Sequence, residues 1–274
     1  MPSTPEKAYK DLEFLNSPDA RTIRLLAEYM QPQRGLRRAR VKDTIVFFGS
    51  ARLKSREEAV TEKQAVIDAI QRSGKVKTPK SLLDQLQHAE TMLEMSRYFE
   101  DAVELARLLS EWSLALDKHR FVICSGGGPG IMEAANRGAH LAGAKSIGLN
   151  ISLPFEQHSN PYIPPELNFE FHYFFMRKFW FVYPAKALVV FPGGFGTMDE
   201  LMEVLTLVQT EKLRKQVFIV LYGGEFWNSI INFEELQRRG VISPGDLGLF
   251  KTCNTPKEAF NYLRKNLTDR YLTE

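Results

Sequence analysis

An apolar segment that runs into a dense glycine turn constrains this chain most. Residues 187–203 read Ala-Leu-Val-Val-Phe-Pro-Gly-Gly-Phe-Gly-Thr-Met-Asp-Glu-Leu-Met-Glu. The pattern predicts a buried strand, a tight turn and then an amphipathic helix that begins near Met198. This order brings unpaired backbone amides and the positive end of a helix dipole to one place, which suits a bound phosphate.

A second glycine turn has the same surroundings. Phe121–Cys124 is predicted as a strand, residues 125–130 read Ser-Gly-Gly-Gly-Pro-Gly, and a helix follows to residue 141. Further apolar strands are predicted at 44–48, 146–151, 169–173 and 217–222, with helices between them. Fully apolar strands that alternate with helices favour an α/β fold, with a mostly parallel sheet covered on both faces. Such sheets bind ligands at the carboxyl ends of their strands, where both turns are expected.

The chain divides into an extension and one larger domain. Residues 1–40 are predicted as a helical extension that ends in a linker at 31–40, and residues 41–274 as the α/β domain. A mostly helical insertion covers about 53–97, with breaks at residues 73–74 and near Pro79. The loop at 152–166 holds four prolines and is too long for a simple connection. Two helices, near 226–236 and 257–266, complete the pattern.

Composition excludes several classes of function. The net charge of +3, from 36 basic and 33 acidic residues, does not argue for a nucleic-acid partner. No secretory signal and no bilayer-spanning apolar run is present, so we expect a cytoplasmic protein without a membrane partner. Two cysteines cannot build a disulfide framework. The five histidines show no metal-ligand spacing, so no metal is expected.

Neither glycine turn matches a standard nucleotide motif. The pair Gly126 and Gly128 is followed by Ile131, where a dinucleotide fingerprint has Gly or Ala, and the next strand ends in Asn150 rather than an acid. No Gly-Lys-Ser/Thr follows either turn, which excludes a P-loop. The first turn can need glycine for its backbone alone, or it can contact phosphate or ribose. Its glycine density favours a ligand contact.

The second turn and its acids carry two interpretations. Glycines at 193, 194 and 196 let the backbone approach a ligand, and Thr197 can donate its hydroxyl. Thr197 and Glu200 also fit a capping box, in which Glu200 would bond only the Thr197 amide. Asp199 is then a partner of the helix dipole, and Glu203 a solvated or supporting acid.

Electrostatics indicates what an acid in this site would face. A carboxylate placed directly on a phosphate would repel it, so Glu200 is expected to face the ribose. Helix N-terminal placement is expected to lower the pKa of Glu200 and keep it ionised. An ionised acid beside a sugar can stabilise an oxocarbenium-like transition state and orient water. That chemistry is hydrolysis of a glycosidic bond.

Basic and aromatic residues precede the same strand. Arg177 and Lys178 lie at the head of the predicted helix before this strand. Arg177 can grip a phosphate bidentately, hold Glu200 or donate to a departing base, or it can form only an ordinary surface ion pair. Aromatic residues at 171 and 173–175 can stack on a base, although a buried strand explains most of them. His158 and His172 fit a structural role as well as a catalytic one.

Together these motifs resemble the LOG (Lonely Guy) family, the cytokinin riboside 5′-monophosphate phosphoribohydrolases, which are often mislabelled as lysine decarboxylases. The matching segments are Phe48-Gly-Ser-Ala-Arg52, Ser125-Gly-Gly-Gly-Pro-Gly-Ile-Met132, Met176-Arg-Lys178 and Pro192-Gly-Gly-Phe-Gly-Thr-Met-Asp-Glu200. The resemblance covers about residues 42–50 and 98–265. The Arg-Lys pair and the Pro-Gly-Gly-x-Gly-Thr-x-x-Glu motif are highly specific in combination.

The resemblance implies a Rossmann-like fold, at least a dimer, and hydrolysis of a nucleoside 5′-monophosphate to free base and ribose 5-phosphate. It places the catalytic roles on Arg177 and Glu200. The residues it implies for substrate binding are Gly49, Ser50, Ser125, Gly126, Gly127, Gly128, Gly130, Met176, Lys178, Pro192, Gly193, Gly194, Phe195, Gly196, Thr197 and Glu203. No cofactor is implied, and no lysine lies in a recognisable Schiff-base context for a pyridoxal-phosphate decarboxylase.

Two departures from the compact family pattern leave the base open. The chain adds an N-terminal extension of about 40 residues and about 45 helical residues after the first strand, so AMP or another purine nucleotide is expected as readily as a cytokinin riboside monophosphate. The alternatives are a non-catalytic binder of a nucleotide or a molybdopterin-type cofactor, and a nucleotide or phosphosugar transferase. Retention of both Arg177 and Glu200 argues against the binder.

Overall fold

The computed structural model describes residues 5–73, 79–116, 120–154 and 158–273. Within these ranges seven strands form one sheet, in the order β4-β3-β2-β1-β5-β6-β7, and every neighbouring pair is parallel. The strands are β1 Thr44–Phe48, β2 Val122–Ser125, β3 Ile147–Ile151, β4 Asn168–Phe171, β5 Ala185–Val190, β6 Phe218–Tyr222 and β7 Phe250–Cys253. The predicted α/β fold with a parallel, Rossmann-like sheet is confirmed.

Helices cover both faces of the sheet. They are α1 Leu12–Asn16, α2 Arg21–Arg38, α3 Arg56–Arg72, α4 Lys80–Leu114, α5 Ile131–Leu141, α6 Phe174–Val182, α7 Phe195–Gln209, α8 Gly224–Ile230, α9 Phe233–Arg238 and α10 Pro256–Tyr271. Alternate residues of β1 point to opposite cores, since Ile45 and Phe47 pack with α4, α5 and α10, whereas Val46 and Phe48 pack with α2, α6, α7 and α8. Both cores are therefore buried between the sheet and a helical layer.

The sheet has its topological switch point between β1 and β5. The chain leaves β1 towards β2 on one side, whereas β5 leads to β6 on the other. The loops after these two strands meet, because the Ser50 amide donates to Pro192 O over 3.0 Å. Ser50 O also accepts from the amide of Ile131, the first residue of α5, over 3.0 Å. A crevice at this position is where open α/β sheets bind ligands.

The linker predicted at residues 31–40 is wrong, because α2 continues to Arg38. Pro32 lies inside the helix and is buried. Proline has no N–H to donate to the carbonyl four residues earlier, which is that of Glu28. In this protein the indole N–H of Trp180 donates to Glu28 O instead, over 3.1 Å. The lost helical bond is thus replaced by a tertiary one.

Other boundaries differ less. The predicted helical insertion is confirmed as α3 and the first half of α4, and a Ser55–Glu58 capping box begins α3. The helix predicted at 226–236 is divided into α8 and α9. Strand β7 was not predicted, since within Phe250–Cys253 Cys253 alone is buried and the apolar signal is weak. Among the described residues no helix is long and apolar enough to cross a membrane.

Candidate functional site

Helix α6 connects the two glycine turns at the carboxyl edge of the sheet. Its residue Arg177 points towards β2 and β3, where Nε donates to Leu149 O over 2.7 Å and Nη2 to Gly126 O over 3.4 Å. The guanidinium also lies 4.9 Å from the centre of the Phe181 ring. Among the described residues the guanidinium donates from Nε and Nη2, and no acceptor for Nη1 is found there. Arg177 is thus fixed at the first glycine turn with donor capacity to spare.

Lys178, the next residue, reaches the opposite way to α7. Its Nζ lies 2.7 Å from Asp199 Oδ2, 2.7 Å from Glu203 Oε2 and 3.5 Å from Glu200 Oε2. Burial alone would lower the pKa of Lys178, but the hydrogen bonds to Asp199 and Glu203 outweigh burial and raise that pKa. The ammonium of Lys178 thus lies among three carboxylates, and its predicted role in substrate binding stays a prediction.

Glu200 is a buried acid with an unsatisfied oxygen. The residue is 7% exposed, and its Oε2 accepts no hydrogen bond from any described residue. Burial raises the pKa of Glu200 to about 7, against the lowering influence of the Lys178 and Arg177 charges. The expectation that the helix terminus lowers this pKa is wrong, since burial outweighs every favourable charge.

The capping-box interpretation of Glu200 is also wrong. Helix α7 begins at Phe195, three residues before the predicted start, and Gly194 is its N-cap without any side-chain capping bond. Thr197 is therefore the third residue inside the helix, and Glu200 the sixth. A residue in the second helical turn lies beyond the amides that a cap satisfies. Glu200 is free for another role.

The turn between β5 and α7 is open. Gly194, Phe195 and Gly196 are exposed, and a Cβ at either glycine would meet nothing within 4 Å. The Met198 amide donates to Gly194 O, so the amides of residues 195–197 precede the first helical hydrogen bond. Gly193 is different, because a Cβ there would lie 2.1 Å from Thr197 Oγ1 and 3.0 Å from the Ser50 amide nitrogen. The open amides lie at the start of a 15-residue helix, a position that suits an anion.

The first turn is enclosed instead. Gly126, Gly127 and Gly128 are buried, and the Ser125 hydroxyl donates to Asn136 Oδ1 over 2.6 Å while it accepts from the Gly127 amide. Gly127 and Gly130 have positive φ, at 78° and 71°. These two positions need glycine for backbone reasons, as the simpler interpretation of this turn required. The Ser125 hydroxyl is used inside the protein.

Three asparagines support the first turn, namely Asn136, Asn150 and Asn160. The sequence motifs did not reveal Asn136 or Asn160. Asn160 donates from Nδ2 to Gly127 O, Gly128 O and Asn136 Oδ1, over 3.0, 3.1 and 3.0 Å. Asn150 donates to Asn168 Oδ1 and Phe169 O, and its own Oδ1 lies against Gly127. The long loop at 152–166 thus contributes Asn160 to the turn. A polar residue directly before Pro161, in a loop that long, is the signal that could have found it.

The aromatic run before Arg177 is half buried and half exposed. Phe171 and Tyr173 lie in the protein interior, as the buried-strand interpretation required, whereas Phe174 and Phe175 are 52% and 51% exposed. The His172 ring lies against the edge of Tyr173 at 4.7 Å. Gly49 and Ser50 close the site from the β1 side. The carboxyl edge therefore combines an anion-binding helix end, a buried acid of raised pKa and a fixed arginine.

Known proteins match the part of the chain that contains these residues. A family model described as "Possible lysine decarboxylase" matches residues 132–263. Two cytokinin riboside 5′-monophosphate phosphoribohydrolases of Arabidopsis thaliana, LOG7 and LOG3, are each 27% identical over 171 and 173 residues. These matches cover 61% and 62% of this chain, and 74% and 76% of the relatives. Over this part the chain is similar to proteins of the LOG family. Arg177 and Glu200 both lie within residues 132–263, the part that this family model matches.

Solved structures with a similar fold include two proteins associated with the molybdenum cofactor. A molybdenum cofactor binding protein from Rippkaea orientalis is 16% identical, with a TM-score of 0.47, over 83% of this chain and 98% of that one. A Moco carrier protein from Chlamydomonas reinhardtii is 17% identical, with a TM-score of 0.47, over 83% and 99%.

Proposed function

We propose that this protein hydrolyses the N-glycosidic bond of a nucleoside 5′-monophosphate and releases free base and ribose 5-phosphate. The observation that carries the proposal is Glu200, a buried carboxyl whose Oε2 has no hydrogen-bond partner among the described residues. An unpaired buried carboxylate is costly, and such groups concentrate where chemistry needs them. The names of the LOG relatives support a nucleotide glycosidase at the level of the family.

The phosphate belongs at the start of α7. The amides of residues 195–197 lie at the positive helix end, and no acid of the first turn competes there. Glu200 lies between three and five residues further along α7, about 5–8 Å at 1.5 Å per residue. That separation matches the reach from a 5′-phosphate across the ribose ring to its anomeric carbon.

Glu200 then acts on water. As the bond from the anomeric carbon to the base nitrogen breaks, water forms a new bond to that carbon and gives its proton to Glu200. The electron pair of the broken bond leaves with the base, which takes up a proton from solvent, and Glu200 then returns the proton it accepted from water to solvent. A carboxylate of pKa about 7 can accept a proton at neutral pH, and general-base assistance typically contributes about 10²–10⁴-fold.

Arg177 orients the nucleotide and helps the base to leave. Its bonds to Leu149 and Gly126 fix the guanidinium at the first glycine turn, and Nη1, which has no acceptor among the described residues, would donate to the nucleotide. AMP or another purine monophosphate is the substrate we favour, with a cytokinin riboside monophosphate as its modified form. The Gly49–Ser50 segment and the turn at 125–130 complete the walls of the site.

Lys178 does not serve as a Schiff-base nucleophile in this proposal, despite the decarboxylase description of the matching family model. Forming a Schiff base requires a neutral amine, and a lysine gains one when its pKa is lowered. The bonds to Asp199 and Glu203 raise the pKa of Lys178 and keep it charged.

We also propose that the active protein is a homo-oligomer, as the LOG resemblance implies. Phe174, Phe175 and Tyr183 are 52%, 51% and 61% exposed and share α6 or its end with Arg177. An aromatic face of this kind is more typical of an interface than of a free surface. Phe175→Asp should lower the molar mass measured by light scattering, whereas an unchanged mass would place the interface elsewhere.

A panel of nucleoside 5′-monophosphates tests the function directly, with free base measured by chromatography. We expect base release from at least one purine monophosphate, and slow release from the matching nucleoside, since the α7 amides then have no phosphate to bind. Glu200→Gln should lower kcat by at least about 10²-fold and leave AMP binding intact. Binding of monophosphates without any base release would contradict the proposal and favour a carrier.

A further inference from the structure

The N-terminal extension contacts the helix that carries Arg177. We propose that Glu28, on α2, is a positioning residue for Arg177: it fixes both ends of the segment 172–180 and thereby the guanidinium. The inference rests on the proposed function for its catalytic consequence, but its structural content stands on contacts of Glu28 alone. Glu28 touches no reacting group, so its effect has to pass through α6.

The Glu28 carboxylate occupies the N-terminal end of α6. Its Oε1 accepts from the His172 amide over 2.8 Å, and its Oε2 accepts from the Tyr173 amide over 3.3 Å. Tyr173 is the N-cap of α6 and makes no side-chain capping bond. Amides at a helix start need acceptors, and a negative charge is favourable there. Glu28 provides both from a distant part of the chain.

The main chain of the same residue holds the other end of the segment. Glu28 O accepts from the Trp180 indole N–H over 3.1 Å. That carbonyl is available because Pro32, four residues later, has no amide hydrogen. Arg177 and Lys178 therefore lie between two groups that both bind residue 28.

Ring packing keeps α2 against α6. The Tyr29 ring lies 5.6 Å from that of Phe179 and 5.8 Å from that of Trp180, between ring centres. The Arg21 guanidinium lies 5.6 Å from the Tyr173 ring. Aromatic pairs at these separations add to the free energy of packing beyond their buried area. The bonds of Glu28 thus act within a packed interface and have a defined geometry.

Positioning matters because α6 is short. It has nine residues, and helices of that length owe their register to tertiary contacts. A shift of α6 along its axis would move Arg177 away from Leu149 O and Gly126 O, which it contacts at 2.7 and 3.4 Å. A misplacement of about 1 Å can cost about 10²-fold in rate.

The test compares Glu28→Ala and Glu28→Gln with Glu13→Ala, a control at an exposed acid of α1. Glu28→Ala should raise amide exchange across 172–180 about tenfold, and speed the exchange of the Arg177 Nε–H signal in NMR spectra. It should lower kcat/KM for AMP about tenfold, with secondary structure retained. Glu28→Gln keeps an oxygen for the His172 amide and should retain most activity.

A second pair of variants separates positioning from general loss of packing. Trp180→Phe leaves Glu28 O without its donor, and adding Pro32→Ala restores a helical amide to that carbonyl. In the double variant Glu28 O again accepts a helical amide, whereas α6 has lost the hydrogen bond from Trp180. We therefore expect the melting temperature to recover and kcat/KM to remain low. Recovery of both would assign Trp180 and Pro32 to stability alone and overturn their positioning role.

Failure of the inference and failure of the proposed function have different signatures. Unchanged exchange at 172–180 and at Arg177 Nε–H in Glu28→Ala overturns the inference, whatever the enzyme does. Unchanged kcat/KM in an active protein overturns it as well. A wild-type protein that releases no base from any monophosphate overturns the proposed function, and the exchange measurements then still decide whether Glu28 fixes α6.

Discussion

Lys178 Nζ lies 3.5 Å from Glu200 Oε2, an ion pair without a hydrogen bond. The same ammonium is 2.7 Å from Asp199 Oδ2 and from Glu203 Oε2, so these two acids take its donors. Glu200 Oε2 therefore lies near the charge of Lys178 but accepts no hydrogen bond from the described residues. An oxygen in this state can accept a proton from water, as the proposed reaction requires.

Removal of Lys178 should move the pH dependence of catalysis. Burial raises the pKa of Glu200 to about 7, and Lys178 is the first cause that lowers it. Since the proposed base must be ionised, wild-type kcat/KM should rise with pH through about 7. Lys178→Ala should shift that rise upward by about one pH unit or more. Lys178→Arg keeps the charge and should stay close to wild type; a rise that does not move in the alanine variant would remove Lys178 from this role.

The free energy of unfolding should also depend on the ionisation of Glu200, but it should fall as pH rises, whereas kcat/KM rises. The folded pKa of Glu200 lies above the model-peptide value of 4.5, so the unfolded chain ionises first as pH rises. Folding stability therefore falls between about pH 4.5 and 7, and the penalty is at most about 3 kcal/mol above pH 7. Glu200→Gln should melt higher than wild type at pH 8 and equally at pH 4. Equal melting curves at both pH values would mean that Glu200 is not buried as described.

Phe195→Pro tests the anion site at the start of α7. Proline is tolerated at the first position of a helix, and Gly194 before it is extended, with φ −91° and ψ −151°. The change removes one open amide, so KM for AMP should rise about tenfold while activity on adenosine stays the same. Phe195→Ala keeps the amide and is the matched control, since the ring is 91% exposed. Equal KM values in the two variants would place the phosphate elsewhere.

Gly126→Ala should disturb Arg177 without disturbing the fold. The added Cβ would lie 2.5 Å from Arg177 Nη2 and 2.6 Å from Met132 Sδ, both flexible side-chain ends. We expect kcat/KM for AMP to fall about 10–10²-fold with a small change in melting temperature. Gly245→Ala adds the same methyl group in open space and should be neutral. An alanine at 126 that leaves kinetics intact would argue that Arg177 has no fixed catalytic position.

The sequence predicted most of the fold because strands and helices have local periods. Six of the seven strands were predicted. Five of these are almost wholly buried, and β4 buries Phe169 and Phe171 in alternation, whereas Phe250–Cys253 buries Cys253 alone. The end of α2 was missed for a different reason. A proline such as Pro32 predicts the end of a helix when only neighbouring residues are considered. The indole N–H that replaces its missing amide belongs to Trp180, which is distant in the chain.

The motifs indicated that Arg177 and Glu200 lie at the same edge of the sheet, and their roles stay predictions, whereas the electrostatics around Glu200 was not predicted. Glu200 and Arg177 were recognisable from motifs that are local in sequence. The pKa of Glu200 was expected to fall because its place near a helix start is visible in the sequence, whereas its burial depends on packing that is not. Asn160 was missed for the same reason, since its bonds to Gly127 O and Gly128 O form only after the long loop folds back.

The most direct measurement is a crystal structure of Glu200→Gln with AMP bound. We predict the phosphate on the amides of residues 195–197, the ribose over residue 200, and Arg177 Nη1 on the nucleotide. An AMP molecule whose anomeric carbon lies away from residue 200, with another acid beside it, would contradict the assignment of Glu200 as the base.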